Sequence, residues 1–235
     1  LRSENYRTKT LVFDRALPAE PGQFVMVWLP GVDEKPYSVA AADPLALTVV
    51  AVGPFSEALQ SREIGDKVWI RGPLGHGYQL PTSPRGKRLL LVGGGYGVAP
   101  LHFLARRAID AGAAVEVLIG AQTRRDLLLV EAFERSGASV LVSTEDGTAG
   151  EAGLVTELAA SVIDARRPVE VFACGPVPML EALEELCRRH RLRHQLSWEA
   201  QMRCGLGLCG ECEVPSHPVG GWLACRDGPV ARYEA

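Results

Sequence analysis

Near the end of the chain, four cysteines constrain the fold more than any other feature. Cys204, Cys209, Cys212 and Cys225 have the spacing C-x4-C-x2-C-x12-C. This is a plant-type spacing for the thiolate ligands of a two-iron, two-sulfur (2Fe-2S) cluster. Three of the thiolates would converge from one short loop, and the fourth would come from a separate segment. The spacing therefore predicts a cluster site and a role in electron transfer.

Glycines make so tight a loop possible. Gly205, Gly207 and Gly210 lie between the cysteines of this loop. Glycine adopts positive φ angles without steric cost and lets backbone N–H groups approach sulfur atoms. Leu206 and Leu208 are apolar residues in the same loop, suited either to shield a cluster from water or to contact a partner protein.

Two other uses of the cysteines compete with the cluster. A structural zinc site also has four cysteines, but they usually form two short C-x2-4-C pairs, whereas Cys225 is isolated. A disulfide framework is typical of short secreted chains, and the opening residues contain no apolar signal segment. The remaining cysteines, Cys174 and Cys187, stand outside the set. Cys187 falls within an apolar helical pattern and is predicted to be a core residue.

Length and charge limit the classes of function. With 235 residues, the chain can form two medium-sized domains and a small additional lobe. The net charge of −3 gives no basic excess for binding nucleic acid. No stretch approaches the ~20 apolar residues that span a bilayer. We therefore expect a cytoplasmic protein that binds neither nucleic acid nor membrane.

The first region, residues 1–84, has the pattern of an antiparallel β-barrel. Short apolar runs alternate with turn residues such as Pro-Gly and Gly-Pro, which is typical of strands joined by tight turns. A set of short strands of this kind suggests a small barrel. The predicted strands are 8–13, 24–29, 37–41, 47–52 and 67–70.

The second region, residues 85–196, alternates strands with helices. A continuous apolar strand at 89–92 runs into Gly93-Gly94-Gly95 and then into a helix with buried positions at the α-helical period. Such alternation predicts a doubly wound parallel sheet with helices on both faces, giving a β plus α/β multidomain protein. The further strands are 115–119, 139–142 and 169–173, and the further helices are 127–133, 154–158 and 179–186. The third region, residues 197–235, would be a small lobe built around the cluster.

A glycine-rich turn marks the predicted nucleotide site. Gly95, Gly97 and Pro100 follow the strand 89–92 and open the next helix. Backbone N–H groups and the positive end of a helix favour a diphosphate there. The turn is not the Rossmann fingerprint, because Pro100 takes the third glycine position. A tight structural turn is the competing interpretation.

Two more loops fall at the carboxyl ends of predicted strands, where open α/β sheets bind ligands. One contains Cys174, Gly175 and Pro176, and its alternative role is a turn with a small buried cysteine. The other contains Glu145 and Asp146, whose carboxylates would accept hydrogen bonds from a ribose and repel a 2′-phosphate. NAD is therefore favoured over NADP, although Arg124 and Arg125 nearby keep NADP open.

Taken together, these motifs resemble the ferredoxin-NADP reductase superfamily along essentially the whole chain. Lys35-Pro36-Tyr37-Ser38 is similar to its Arg-x-Tyr-Ser flavin motif, and Gly72-Pro73-Leu74-Gly75 to the loop between its barrel and nucleotide domain. Cys174-Gly175-Pro176 is similar to its nicotinamide-side loop. The cysteine set with Cys225-Arg226-Asp227-Gly228-Pro229-Val230 most resembles the electron-transfer subunits of NAD-linked (type B) dihydroorotate dehydrogenase.

The resemblance implies FAD and one 2Fe-2S cluster as cofactors, with NAD as substrate and Cys174 beside the reacting rings. Two departures concern the flavin site: Lys35 replaces the usual arginine, which removes a bidentate phosphate contact, and Phe55 stands where the family usually has glycine. The implied FAD contacts are Lys35, Pro36, Tyr37, Ser38, Thr48, Val49, Val50 and the turn residues Phe55 and Ser56.

The resemblance also implies a route and a partner. Clusters carry single electrons and nicotinamide accepts a hydride, so a flavin must pair the electrons. Electrons would pass from an FMN-containing dihydroorotate dehydrogenase catalytic subunit to the cluster, to FAD and to NAD⁺, within a heterotetramer of pyrimidine biosynthesis.

Three other functions stay open. The chain could be the flavin subunit of an NAD(P)-linked hydrogenase or of a ferredoxin-NADP transhydrogenase. It could be a self-contained reductase that feeds an oxygenase. It could also be a zinc-stabilised nucleotide-binding module that transfers no electrons.

Overall fold

The computed structural model describes residues 1–234 and divides them into two compact units. The first unit contains Leu1–Gly77 and Glu199–Pro229, and the second contains Tyr78–Trp198 with the chain from Val230 onward. This grouping differs from the segments 1–84, 85–196 and 197–235, because the glycine-rich residues after Glu199 have little secondary structure of their own and pack with the first unit. The functional division into three domains remains a prediction.

An antiparallel sheet forms the framework of the first unit. Its six strands are paired in the order β1-β2-β5-β4-β3-β6. The antiparallel pairing of successive strands agrees with the prediction, and closure of this sheet into a barrel stays a prediction. The elements are β1 (Arg2–Asn5), β2 (Thr8–Val12), β3 (Phe24–Leu29), β4 (Asp33–Ala42), β5 (Leu45–Val50), α1 (Pro54–Gln60) and β6 (Trp69–Leu74).

A mostly parallel sheet forms the second unit. Its seven strands have the order β10-β9-β8-β7-β11-β12-β13, and only β13 runs antiparallel to its neighbour. The elements are β7 (Arg88–Gly94), α2 (Val98–Asp110), β8 (Ala114–Ala121), α3 (Val130–Arg135), β9 (Ser139–Thr144), β10 (Glu151–Ala152), α4 (Val155–Arg166), β11 (Glu170–Cys174), α5 (Val177–Arg189), β12 (Arg193–Ser197) and β13 (Val230–Tyr233).

Burial along β7 explains the continuous apolar run of this strand. Leu89 and Leu91 belong to the core that α2 covers, whereas Leu90 and Val92, which alternate with them, are also buried. A strand buried on both faces loses the polar alternation of a half-exposed strand. The predicted stripe on α2 is confirmed, since Leu101, Leu104, Ala105 and Ala108 lie in the same core and Ile109 packs against it.

The sequence missed several elements. Residues 55 and 56, predicted as a turn, lie in helix α1, and β1, β12 and β13 had no predicted counterpart. The third helix begins at Val130 instead of Leu127, because Leu129 adopts a left-handed conformation that interrupts the helix there. Cys187 is fully buried, as predicted. Among the described residues, no helix is both long enough and apolar enough to cross a membrane.

A buried histidine on β12 predicts acid sensitivity. The ring of His194 stacks on Tyr233 with centroids 4.6 Å apart, and Nδ1 lies 2.9 Å from the Leu192 carbonyl oxygen. Burial lowers the pKa of His194 below its usual 6.5, more than the Leu192 carbonyl and Glu184 raise it. The folded state therefore holds His194 neutral. The contribution of this histidine to stability is fully present above pH 6.5 and is lost as the pH falls below it.

We expect the free energy of unfolding in urea to decrease between pH 7 and pH 5, and to decrease less in His194→Phe, which keeps a stacked ring. The comparison between the two proteins at each pH isolates this histidine from the other titrating groups. Parallel pH profiles would contradict the assignment.

Candidate cluster and nucleotide sites

The cysteine loop brings its sulfur atoms together in two pairs. Cys212 Sγ and Cys225 Sγ are 3.1 Å apart, and the Cys204 thiol hydrogen-bonds with that of Cys209. All six cysteines are free thiols in this structure. Two pairs of protein sulfurs suit a two-iron cluster, in which each iron takes two of them. No three His, Cys, Asp or Glu side chains in residues 1–234 are arranged to hold a single metal ion.

Backbone N–H groups of the loop point at the sulfurs. The N–H groups of Leu206 and Leu208 each donate to Cys204 Sγ at 3.4 Å, and that of Gly207 donates to Cys225 Sγ at 3.0 Å. Gly205 and Gly207 have φ angles of 66° and 74°, as the sequence predicted for a loop that turns its amides inward. These donors stabilise negative charge on sulfur, so the residues present fit an iron–sulfur cluster.

The two pairs of cysteines differ in burial, and the pKa values of Cys204 and Cys225 are shifted in opposite directions. Three backbone N–H groups, led by that of Leu206, lower the pKa of Cys204 to about 6. Burial, followed by the neighbouring Cys212 thiol, raises the pKa of Cys225 to about 12. Cys204 is thus ready to bind metal as a thiolate. The buried Cys225 would lose its proton on binding a metal ion, because a coordinated thiol is deprotonated outright.

The predicted flavin motif lies on β4, opposite β3. Lys35, Pro36, Tyr37 and Ser38 are paired with Val27, Met26, Val25 and Phe24 respectively. Tyr37 stacks on Phe55 with ring centroids 6.2 Å apart, and burial raises the pKa of Tyr37 to about 12. The structure therefore brings these two predicted residues together, and Phe55 contributes an aromatic ring where the family usually has glycine. The Lys35 ammonium contacts Asp33 at 2.6 Å.

Two predicted FAD contacts use their hydroxyl groups within the protein. Thr48 Oγ1 lies 3.0 Å from Thr10 Oγ1 on the neighbouring strand. Ser56 Oγ accepts hydrogen bonds from the N–H groups of Val52 and Gly53 and donates to the Gly53 carbonyl, so it fastens the start of α1. Because these three bonds use the donor and both acceptor positions of the Ser56 hydroxyl, a flavin contact at Ser56 would involve the backbone. Val49 is buried and Val50 is half-buried on β5.

In the second unit, the two predicted nucleotide loops lie side by side. Cys174 is paired with Gly93 on the adjacent strand, so both loops leave the carboxyl edge of the sheet together. A Cβ atom on Gly97 would lie 2.6 Å from the Cys174 carbonyl carbon and 2.7 Å from the Gly175 nitrogen. Only glycine allows this approach, so the packing of the two loops by itself explains why position 97 is glycine.

The residues around these loops have distinct places. Gly95 and Gly97 bound a single 3-10 turn, and Pro100 lies in the first turn of α2, where a missing N–H costs nothing. Pro176 immediately precedes α5. Its ring and the side chain of Met179 pack against Gly94 and occupy the space that a Cβ atom on this glycine would need. Cys174 is 5% exposed and belongs to the core beside Tyr78, so only a small part of its thiol can meet a ligand.

Glu145 and Asp146 follow β9 at the same edge of the sheet. They lie two strands from β7, or about 10 Å at the usual spacing of strands. Asp146 Oδ1 accepts hydrogen bonds from the N–H and hydroxyl of Thr148, which lower the pKa of this carboxyl. Both residues are exposed, and because Asp146 is engaged by Thr148, Glu145 has the carboxylate better placed to meet a ligand.

Comparison with known proteins identifies the family. Residues 199–235 match the iron-sulfur cluster binding domain of dihydroorotate dehydrogenase B, and residues 91–185 match the oxidoreductase NAD-binding domain. A probable dihydroorotate dehydrogenase B (NAD⁺) electron transfer subunit of Thermococcus kodakarensis is 39% identical, with 96% of this chain and 90% of the relative covered. This chain belongs to the family of dihydroorotate dehydrogenase B electron transfer subunits. The corresponding protein of Pyrococcus abyssi is 42% identical over 93% of this chain and 81% of its own.

Two solved oxidoreductase structures resemble this chain in fold. An NADH-dependent reduced ferredoxin-NADP oxidoreductase, described for flavin-based electron bifurcation, has a TM-score of 0.80 at 29% identity and covers 98% of this chain and 88% of its own. A cytochrome P450 reductase of Amycolatopsis has a TM-score of 0.69 at 28% identity, covering 81% of this chain and 63% of its own. The β plus α/β fold of the family is therefore shown.

Several residues that shape the sites in this family member escaped the sequence. Arg71 Nη2 donates to the Cys204 carbonyl at 3.0 Å while its guanidinium pairs with Glu34. Tyr78 donates its hydroxyl to the Ala173 carbonyl at 2.8 Å, next to the loop that begins at Cys174. These contacts join positions 133 and 95 residues apart, so no local pattern could have indicated them.

Proposed function

We propose that this chain is the electron-transfer subunit of an NAD-linked dihydroorotate dehydrogenase of pyrimidine biosynthesis. Electrons would enter from an FMN-containing catalytic subunit and leave on NAD⁺, through a 2Fe-2S cluster and FAD in this chain. The observation that carries the proposal is the paired cysteine loop with its inward N–H groups, in a chain of this family. The proposed cluster ligands are Cys204, Cys209, Cys212 and Cys225.

The cofactors supply the chemistry: the cluster carries single electrons, and FAD joins them into the pairs that nicotinamide accepts as hydride. The protein binds and orients these cofactors. Tyr37 and Phe55 provide an aromatic surface, and Lys35 provides a positive charge for a flavin diphosphate. Gly97 and Cys174 shape the nicotinamide-side loop, where the small, mostly buried side chain of Cys174 leaves room for a ring.

The nucleotide would bind along the carboxyl edge of the second unit's sheet. The N-terminus of α2 and the turn at Gly95–Gly97 favour its diphosphate. Glu145 and Asp146 would face the adenosine ribose, where their charge disfavours the 2′-phosphate of NADP.

Removing the carboxylate of Glu145 should weaken the preference for NADH over NADPH. We expect Glu145→Gln to raise kcat/KM for NADPH relative to NADH by about 5-fold, the scale of one surface charge contact. Glu134→Gln, which neutralises an exposed carboxylate on α3, is the matched control and should leave the ratio unchanged. Steady-state kinetics with a soluble electron acceptor measure both. An unchanged ratio in Glu145→Gln would remove this residue from the ribose site.

The partner should bind over the cluster loop. Leu206 and Leu208 are 54% and 81% exposed, in the loop between half-buried Cys204 and exposed Cys209. Apolar residues at such a position suit the centre of a protein interface. A cytoplasmic heterotetramer with two catalytic subunits is the assembly that the family suggests.

A ferredoxin-NADP transhydrogenase subunit is the second candidate. It is favoured by the 29% identity and TM-score of 0.80 to an NADH-dependent reduced ferredoxin-NADP oxidoreductase. Co-purification from the native host separates the two, because the first candidate predicts an FMN-containing partner that oxidises dihydroorotate.

The first test of the proposal is the visible spectrum of protein purified without oxygen, before and after NADH. We expect flavin bands with a broad iron–sulfur shoulder at longer wavelength, and bleaching of both by NADH. A colourless protein that contains zinc would overturn the proposal and leave a nucleotide-binding module.

A further inference from the structure

Backbone N–H groups join the two segments that carry the cysteines. The Gly207 N–H donates to Cys225 Sγ at 3.0 Å, and the Ala224 N–H donates to the Cys212 carbonyl at 3.0 Å. The first of these bonds ends on a proposed cluster ligand. Its geometry depends on what holds Gly207 against the segment of Cys225.

The side chain of Arg226 lies directly against Gly207. A Cβ atom on Gly207 would lie 2.9 Å from both Cβ and Cδ of Arg226 and 3.1 Å from its Cγ. The aliphatic stem of Arg226 is therefore in van der Waals contact with the glycine Cα. It forms a wall behind the peptide whose N–H points at Cys225 Sγ.

Asp227 fixes the position of that stem. Arg226 Nε and Nη2 donate to Asp227 Oδ1 and Oδ2, each at 2.8 Å. The carboxylate also accepts the Leu223 N–H at 2.9 Å, and the Asp227 N–H returns to the Leu223 carbonyl at 2.8 Å. An isolated exposed ion pair stabilises little, but here the carboxylate is itself held by the turn that carries Cys225.

We propose that Arg226 and Asp227 are positioning residues that raise the reduction potential of the cluster by holding the Gly207 N–H on Cys225 Sγ. Hydrogen bonds to the sulfurs and nearby positive charge stabilise the more negative reduced cluster. The inference rests on the proposed assignment of Cys225 as a ligand and goes beyond it, because it concerns how two residues that bind no iron set the ease of reduction.

Asp227→Asn gives the sharpest test, because two effects have opposite signs. Removal of a negative charge near the cluster would by itself raise the potential. Loss of the bidentate pair would release Arg226 and weaken the Gly207 hydrogen bond, which lowers the potential. We expect an EPR-monitored redox titration of the holoprotein to give a lower midpoint potential for Asp227→Asn. An unchanged or higher potential would overturn the proposal.

A second pair of variants separates position from charge. Arg226→Met keeps an unbranched stem but loses the pair with Asp227, whereas Arg203→Met removes an exposed positive charge next to Cys204 and leaves the Arg226 stem against Gly207. We expect the potential to fall more in Arg226→Met than in Arg203→Met. Equal shifts would show a pure charge effect and contradict a positioning role.

Iron and sulfide content separates this inference from the proposed function. If the wild-type holoprotein contains no cluster, the proposed function fails. If the cluster is present in wild type and variants, the potentials decide the role of the pair. If Asp227→Asn loads no cluster, the comparison of Arg226→Met with Arg203→Met decides it.

Discussion

Replacement of Cys212 by serine should remove the cluster and leave the rest of the protein folded. The residue is 2% exposed, its sulfur lies 3.1 Å from that of Cys225, and it accepts the Cys225 N–H at 3.5 Å. Serine has nearly the same shape, so the loop should keep its packing. A hydroxyl is a weaker iron ligand than a thiolate. Loss of a group that only supports a metal ligand costs ~10–100-fold in metal affinity, so loss of the ligand itself should reduce iron binding by more than that.

The measurement is iron and acid-labile sulfide per chain, together with the EPR signal of the reduced protein. We expect Cys212→Ser to lose the cluster signal while the flavin bands remain and still bleach with NADH. Electron transfer from the cluster side should then stop, whereas hydride exchange with NADH continues. The matched control is Cys187→Ala, which removes a fully buried sulfur from α5 at a cost of about 1 kcal/mol of stability. A Cys212→Ser protein with its full iron content would show that the ligand set is wrong.

Features with local signals were predicted well. The cysteine spacing indicated a loop whose amides and sulfurs converge, and the structure shows Gly207 donating to Cys225. The alternation of apolar strands and striped helices indicated the second unit, because a parallel sheet covered by helices leaves both patterns in the sequence. The turn at Gly95 and Gly97 was placed at a strand end for the same reason.

Features that depend on distant partners were missed. Strand β12 has the polar sequence Arg-His-Gln-Leu-Ser, yet His194 and Gln195 are buried, because β11 and β13 flank it and Gln195 bonds to Glu170 and to the Gln79 backbone. Position in the sheet, and not hydropathy, buries these side chains. The family resemblance implied a turn at Phe55 and Ser56, but both residues lie in α1, and the Ser56 hydroxyl fastens the start of that helix.

The site follows the same division. Glycines are visible in the sequence, but what each glycine approaches is not. Gly97 was proposed as a phosphate-binding residue, and the structure adds that it touches the backbone of Cys174 and Gly175. The contacts of Arg71 and Arg226 had no sequence signal, although Arg226 lies in a motif that the sequence singled out, since their partners become neighbours only after folding or through the shape of a loop. The sequence therefore predicts which loops bind, and the structure shows what holds those loops in place.

Gly97→Ala should have the largest effect on nucleotide binding. The backbone of Gly97 has φ −60° and ψ −12°, which any residue adopts, so the substitution adds no conformational strain. The whole effect comes from the new methyl group. It would overlap the Cys174 carbonyl group and lie 2.7 Å from the Gly175 nitrogen, and backbone atoms cannot rotate away as a flexible side chain can.

The two loops must therefore move apart by roughly 1 Å, and a displacement of that size in a binding site costs on the order of 100-fold in rate. We expect kcat/KM for NADH to fall by this factor, while the flavin and cluster spectra stay at wild-type intensity because their proposed residues lie in the other unit. Gly220→Ala, which has open space around its Cα and an ordinary φ, is the control for an added methyl group. Normal NADH kinetics in Gly97→Ala would mean that the approach of Gly97 to Cys174 is not required, and that the nucleotide binds without the paired loops.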